Sequence, residues 1–289
     1  MDANYVMDFI LASMRAATPL IFGALGVVTA ERAGVRLLAN EGVMLLAALT
    51  SVMGTVYTGS LLLGILISLI IGAITGLLLA AMKVWIPTNQ TIVGIGINIS
   101  MVGLTSYIFR LGGDKLRVTV PKVPNVFGFS IFDILAIVLV IAVWIFLFKT
   151  GPGLKLRSLG ESAVASDAAG INVLKVRTIT LMVACIFSSL GGIALSIGWV
   201  RVFTDNMVMG RGFIAMAAVY FGKWNPLLTT ISAIMFGAAE ALAFRAQAFS
   251  TSISSFYFFM IPYVLTLVAV ALSGRMKGPA DVGKPYIRR

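Results

Sequence analysis

The 289-residue chain contains no histidine, one cysteine and only 11 acidic residues against 22 basic ones. Without histidine, imidazole acid–base catalysis and His-ligated metal sites are excluded. A single cysteine, Cys185, excludes an internal disulfide. Charged residues make up 11% of the chain, where a soluble domain carries about a quarter. That is too little charge to cover a water-facing surface. Phosphate-binding signatures are missing too. Neither Gly222-Lys223 nor Gly283-Lys284 is followed by Ser or Thr, so the chain has no Walker A loop. It also has no G-x-G-x-x-G run and no metal-ligand spacing.

What the chain does have is apolar residues, at 59% of the total, and a mean hydropathy of +1.01. The composition defines an integral membrane protein. Long apolar runs favour an all-α bundle over a barrel, whose strands leave only short alternating segments. Runs near 7–30, 41–57, 61–82, 91–109, 131–148, 178–200, 212–222, 227–246 and 256–273 predict eight to nine spans in one transmembrane domain covering 1–289. The run at 212–222 is short and flanked by glycine, which suits a half-helix or re-entrant segment. The start, "MDANYVMDF", lacks the basic residues of a secretory signal, so the first apolar run is expected to stay in the protein.

The net charge of +11 points to loops facing the cytoplasm rather than to nucleic acid. With the N-terminus outside, the inner loops carry Arg32, Arg36, Lys83, Lys149, Lys155, Arg157, Lys175, Arg177, Lys223 and a basic tail at 274–289. The outer loops carry Arg110, Lys115, Arg117, Lys122, Arg201, Arg211 and Arg245. The excess predicts N-terminus outside and C-terminus inside. Two stretches, "ERAGVRLLANEGVMLLAAL" and "RVFTDNMVMGRGFIAMAAVYFG", each follow a long span with a polar, glycine-containing break and then an Ala/Met/Leu-rich helix. Inverted repeats with broken helices have this form.

Polar residues at membrane depth are costly and face a cavity or a partner. Glu41, Glu240 and Arg15 are in this position. Asn98 is the strongest candidate for solute contact, with Asn89, Gln90, Ser100, Thr105 and Ser106 in the same region. Amides and hydroxyls suit a neutral polar solute. They suit helix–helix hydrogen bonding equally well. Glycines at 72, 76, 94 and 96 are expected to let helices approach.

One segment stands apart, "LRSLGESAVASDAAGINVLKVR" at 156–177. Within the longest inner loop, 150–177, residues 158–169 favour a short helix that Gly170 stops. So short and polar a helix gains stability by docking on another protein.

Arg157, Gly160, Glu161, Ala168, Ala169, Gly170, Ile171 and Asn172 resemble the coupling helix of ABC-type importer permeases of the simple-sugar and nucleoside branch. "TPLIFGALGVVTAERAGV", "NQTIVGIGINISMVGLTSYIFR" and "GRGFIAMAAVYFGKWNPL" are similar to three further stretches of that branch. The resemblance covers nearly the whole chain and is closest to nucleoside permeases. "RLLANEG" departs from the branch's usual Asn-Ile/Leu-Gly-x-Glu-Gly, although Glu41 and Gly42 fit. The resemblance implies a bacterial inner-membrane permease that hydrolyses no ATP itself and binds no cofactor. ATP and magnesium belong to a separate ATPase subunit. A second permease, identical or different, and an extracytoplasmic binding protein complete the transporter. Arg157, Gly160, Glu161, Ala165, Asp167, Ala169 and Gly170 would couple to the ATPase. Asn98, Asn89, Gln90, Thr105, Glu41 and Glu240 would line the pathway of a nucleoside or a ribose-like sugar. The rival reading is an ion-coupled carrier using Glu240, Glu41 or Arg15, which has no need of the 150–177 loop. A membrane enzyme and a channel have less support from the residues.

Overall fold

The computed structural model describes residues 3–86, 88–126, 128–249, 260, 264 and 278–287. The expected span at 256–273 and the 274–277 start of the basic tail therefore lie outside the described residues, apart from positions 260 and 264. The described residues are helical almost throughout. Helices α1 (Ala3–Arg32), α2 (Asn40–Thr58), α3 (Leu61–Ala80), α4 (Gln90–Gly112) and α5 (Ile131–Lys149) come first. Then follow α6 (Gly151–Glu161), α7 (Ala163–Ala168), α8 (Val173–Ile193), α9 (Arg211–Phe221) and α10 (Pro226–Phe249). A two-stranded antiparallel pair, β1 (Asn125–Val126) and β2 (Phe129–Ser130), sits before α5. π-helical turns extend α3 through Ala81–Trp85 and α8 through Ala194–Val200.

Among the described residues, seven helices are long and apolar enough to cross a membrane: α1 to α5, α8 and α10. The α9 helix, at 11 residues, is too short to span alone, in keeping with the half-helix that its flanking glycines suggest. Burial runs opposite to that of a soluble protein. The most apolar helices, α3 and α5, are largely exposed, while the more polar α1, α2 and α8 form the centre. Lipid solvates leucine and isoleucine well, so the outer faces can stay apolar and the centre is held by close packing.

That packing depends on small residues. A β-carbon at Gly76 of α3 would lie 2.6 Å from Met182 Cα of α8, and one at Gly72 would collide with Ser189. In the centre, a β-carbon at Gly26 of α1 would lie 2.6 Å from the Ala184 carbonyl. Gly96, by contrast, has nothing within 4 Å of a β-carbon.

Hydrogen bonds sort the loops to two ends of the bundle. At one end Arg32 Nε donates to the Trp224 carbonyl at 2.9 Å, and Arg177 Nε to the Ala33 carbonyl at 3.0 Å. There too, Asp281 N donates to Gly160 O at 2.8 Å and Gln90 Nε2 to Lys284 O at 3.2 Å. At the other end Val120 N donates to Arg201 O at 2.8 Å, and Arg15 reaches Gly128 O at 3.3 Å. The chain between Arg201 and Trp224 therefore runs from one end to the other, and α9 is its second half.

The 150–172 segment differs from the single helix expected at 158–169. Gly151, Pro152 and Gly153 form the first turn of α6. Thr150 caps a new helix, its hydroxyl accepting from Gly153 N at 3.2 Å, and Pro152 falls at the start of α6, where a missing N–H costs nothing. The helix breaks at Ser162, whose hydroxyl then caps α7 by accepting from Ala165 N at 3.2 Å.

Replacing Gly76 by Val is expected to force α3 from α8 and cost about 1–3 kcal/mol or more, as overpacking against main chain does. Thermal unfolding in detergent should show a clear drop in Tm for Gly76→Val and none for Gly96→Val.

Candidate functional site

Two helices start inside the bundle and meet there. Asn98 is the ninth residue of α4, about 12 Å along it at 1.5 Å per residue. Its Nδ2 donates to Leu38 O at 2.6 Å and its Oδ1 accepts from Gly42 N at 2.8 Å. Asn98 thus pins the start of α2 at that depth. The start of α9 sits against it. Glu41 takes Gly210 N on one carboxylate oxygen at 2.7 Å and Gly212 N on the other at 2.6 Å. Asn40 Nδ2 donates to Gly212 O at 3.0 Å, and Ser188 of α8 donates to Asn40 Oδ1 at 2.7 Å. The glycines permit the approach. Gly210 has φ +82°, and a β-carbon at Gly212 would lie 2.6 Å from Glu41 Cα.

A cavity of about 530 Å³ opens beside this junction, lined by Glu41, Ile95, Asn98, Ile99, Val102, Asn206, Met209, Gly210 and Phe213. Glu41 and Asn98 thus share one cavity wall. Both are committed to holding main chain, so the junction's polar groups shape the cavity as well as lining it.

The other four expected pathway residues lie elsewhere. Asn89 caps α4, its side chain accepting from Thr91 N and Ile92 N. Gln90 is buried at the end that holds the 150–172 segment, where it accepts from Arg36 N at 2.9 Å. Thr105 is buried and donates back to Met101 O at 2.7 Å. Glu240 forms an ion pair with Arg211, which also stacks over Trp199 at 5.6 Å. Arg211 of that pair borders a second cavity of about 680 Å³, lined among others by Arg15, Trp199, Asp205 and Phe244.

The opposite constellation is at the 150–172 end. Trp224 Nε1 donates to Glu31 Oε2 at 2.6 Å while Arg32 holds the Trp224 carbonyl. Lys223 and Trp224 both have positive φ, +49° and +54°, a rare conformation for side-chain-bearing residues. The Glu31 and Arg32 bonds hold that turn in place. Gly160 packs directly against Arg32 O, with Pro279 Cβ 3.2 Å from where a β-carbon would stand. Around it, Arg157 lies over the Phe148 ring at 4.8 Å. Glu161, Ala165, Ala169 and Gly170 are exposed, and Asp167 is half-buried. Leu154 and Val164 are 61% and 71% exposed. The segment thus buries one face on the bundle and presents another.

Sequence reasoning did not single out Glu31, Lys83, Arg177, Trp224 or Asp281 as site residues. Lys83 and Arg177 are buried and donate to the carbonyls of Arg36 and Ala33. For two of the five the signal was present, since Glu31 and Trp224 lie inside the similar stretches "ERAGV" and "GKWNPL".

Among the described residues the chain is a helical membrane bundle with a broken central crossing and a two-faced helical segment at one end. The chain belongs to the family described as branched-chain amino acid transport system / permease component, whose model matches residues 9–270. It is similar to the guanosine ABC transporter permease protein NupQ of Bacillus subtilis, 34% identical over all of this chain and 99% of the relative. The nucleoside ABC transporter permease protein NupC of Lactococcus lactis is 30% identical over 100% of this chain and 99% of the relative. The guanosine ABC transporter permease protein NupP of Bacillus subtilis is 23% identical over 78% of this chain and 70% of the relative. No solved structure matches the chain significantly. The chain is accordingly a multi-pass, non-catalytic permease component of an ABC transporter, a class that works with an ATPase and a binding protein and typically binds no cofactor of its own.

Asn98→Ala leaves Gly42 N and Leu38 O without their partner. Each buried group left unpaired costs roughly 1–3 kcal/mol. The variant should unfold at lower temperature in detergent, and Asn98→Asp, which keeps an acceptor for Gly42 N, should lose less.

Proposed function

We propose that the chain is the permease of an ATP-driven importer for nucleosides in a bacterial inner membrane. The observation that carries this reading is the match along its whole length to two permeases named for guanosine and nucleoside transport. The geometry fits it. The cavity between α4 and the starts of α2 and α9 is apolar with a few polar groups, as a site for a neutral ring-bearing solute requires. A ribose-like sugar is the alternative solute.

In this reading the 150–177 loop docks on the ATPase through its exposed face, Glu161, Val164, Ala165, Ala169 and Gly170, while Arg157 and Gly160 seat it on the bundle. Leu154 and Val164 are exposed at a polar end of the molecule, where an apolar side chain gains most from a protein partner. ATP binding to the partner biases the pathway between its two openings. Arg32, Arg36, Lys83, Lys149, Lys223 and the 278–287 tail share the docking end, which supports the N-terminus outside and the C-terminus in the cytoplasm. The meeting of α2 and α9, each beginning after a glycine-containing break, supports the inverted repeat. The likeness to two different guanosine permeases of one organism, at 34% and 23% identity, supports a heterodimer with a second permease. The ion-coupled carrier loses its best residues, since Glu240 is paired with Arg211 and Glu41 holds two backbone N–H groups.

The test uses cells lacking the chain and complemented with it, supplied with radiolabelled guanosine or ribose. Guanosine uptake that unlabelled nucleosides inhibit is expected. Uptake of ribose alone would assign the sugar, and uptake driven by an ion gradient without ATP would overturn the ABC reading. Val164→Glu should cut uptake at least tenfold and release the co-purified ATPase without lowering Tm. Normal uptake in that variant would remove the loop from the docking role.

A further inference from the structure

The described part of the C-terminal tail, 278–287, makes contacts out of proportion to its length. Pro279 is buried and its Cβ stands beside Gly160. Asp281 N donates to the Gly160 carbonyl at 2.8 Å, and Asp281 Oδ2 accepts from Ala163 N at 2.8 Å. One residue therefore holds both sides of the break between α6 and α7. Two residues on, Gly283 N donates to Gly34 O at 3.2 Å, in the turn that ends α1. Lys284 then pairs with Asp281 at 3.1 Å and offers its carbonyl to Gln90 at the start of α4. Tyr286 packs against the small apolar cluster of Leu159, Ala163 and Val173. At the near end of the strap, a β-carbon on Gly278 would lie 2.6 Å from the Trp224 ring.

The tail thus reaches α6 and α7, the end of α1, the start of α4, the start of α8 and the Trp224 turn. Three of these run directly into the walls of the central cavity. α4 carries Asn98, the turn after α1 leads into Glu41, and α9 joins Phe213 to the Trp224 turn. A bare helix break would let α6 and α7 hinge independently of the bundle. Asp281 closes that hinge, since its main-chain N–H holds the Gly160 carbonyl near the end of α6 and its carboxylate holds the first N–H of α7.

We infer that residues 278–287 form a strap, with Asp281 as its positioning residue, that locks the α6–α7 break to the ends of α1 and α4 so that force on α6–α7 reaches the transport pathway. The inference rests on the proposed docking of α6–α7 to an ATPase, and it adds an element that docking alone does not require. An undocked strap would leave ATP hydrolysis running while transport stops. A docking defect would instead release the ATPase.

The test is reconstitution of the complete transporter, with its ATPase and binding protein, in proteoliposomes. Guanosine and ribose serve in parallel as transported probes, and ATP hydrolysis is measured in the same vesicles. In Asp281→Ala the ATPase should co-purify as in the wild type and hydrolysis should continue, while uptake per ATP falls at least fivefold. Asp281→Asn keeps an acceptor for Ala163 N and should stay within about twofold of wild type. Wild-type uptake per ATP in Asp281→Ala would overturn the strap. Equal loss of uptake and hydrolysis with a lowered Tm would also overturn it, by reducing Asp281 to a folding residue. Val164→Glu separates the two readings. If it keeps both ATPase and uptake, the docking reading fails and the strap with it. If it releases the ATPase while Asp281→Ala is silent, the strap alone fails.

Discussion

The centre of this molecule depends on one carboxylate. A helix that begins inside a membrane leaves its first N–H groups without partners, and hydrocarbon offers none. Glu41 takes Gly210 N and Gly212 N at the start of α9 while standing in the first turn of α2. A negative charge between two helix N-termini is also favoured by both helix dipoles. Without it, the first N–H groups of α9 would stand unpaired at that depth, while the start of α2 is held by Asn98. Asn40 and Asn98 complete the junction from either side, so α2, α4, α8 and α9 are fixed to one another by four polar side chains, counting Ser188. The cavity beside it is a product of that arrangement.

A second set of bonds organises the end that carries α6 and α7. The stretch ending α1 and the stretch after α9 are far apart in the chain, yet Glu31 and Arg32 grip Trp224 by its indole and its carbonyl. Gly34, at φ +83°, turns the chain back, and Arg177 fills the space beside it. A side chain at Gly160 would strike Arg32 O. Glycine is required there by the closeness of α6 to α1, and docking has no part in that requirement. In the proposed reading the docking surface is the opposite face, where Val164 and Ala165 are exposed.

The sequence predicted seven of the observed spans closely, because a bilayer sets the length and apolarity of each run. It also marked the run at 212–222 as too short for a full span, a half-helix or a re-entrant segment, and α9 has 11 residues. The partners of polar residues were far less legible. An amide inside a span looks the same whether it meets a solute or pins a neighbouring helix, and Asn98 pins α2. Glu240 was expected to face a cavity or a partner, and the partner could not be named because Arg211 lies 29 residues away in the chain. Lys83 and Arg177 looked like loop charges because they stand near span ends, although both side chains are buried and bonded to carbonyls. The break at Ser162 was hidden by four alanines, Ala163, Ala165, Ala168 and Ala169, whose helix propensity is uniformly high. Ser162 could have been recognised as an N-cap, since its hydroxyl bonds Ala165 N three residues on.

The two sets of bonds are joined by α9. Its first residues are held by Glu41, and the turn that follows its last residue is held by Glu31 and Arg32. Eleven helical residues span about 16 Å at 1.5 Å each, too short to bend appreciably without a proline or glycine inside the run. Gly212 is the only glycine within α9, and it sits at the second position, where Glu41 holds it. Any displacement of the Trp224 turn is therefore delivered to Phe213 and Gly210, two residues of the cavity wall. The long spans α1 and α8 reach the same region through their sides, α8 also by the Ser188 hydroxyl, whereas α9 reaches it by its own backbone. In the proposed reading this short helix, rather than any full span, carries motion from the ATPase end to the solute. Its brevity then has a mechanical reason, since a full crossing would have placed its start at the far surface, away from Glu41.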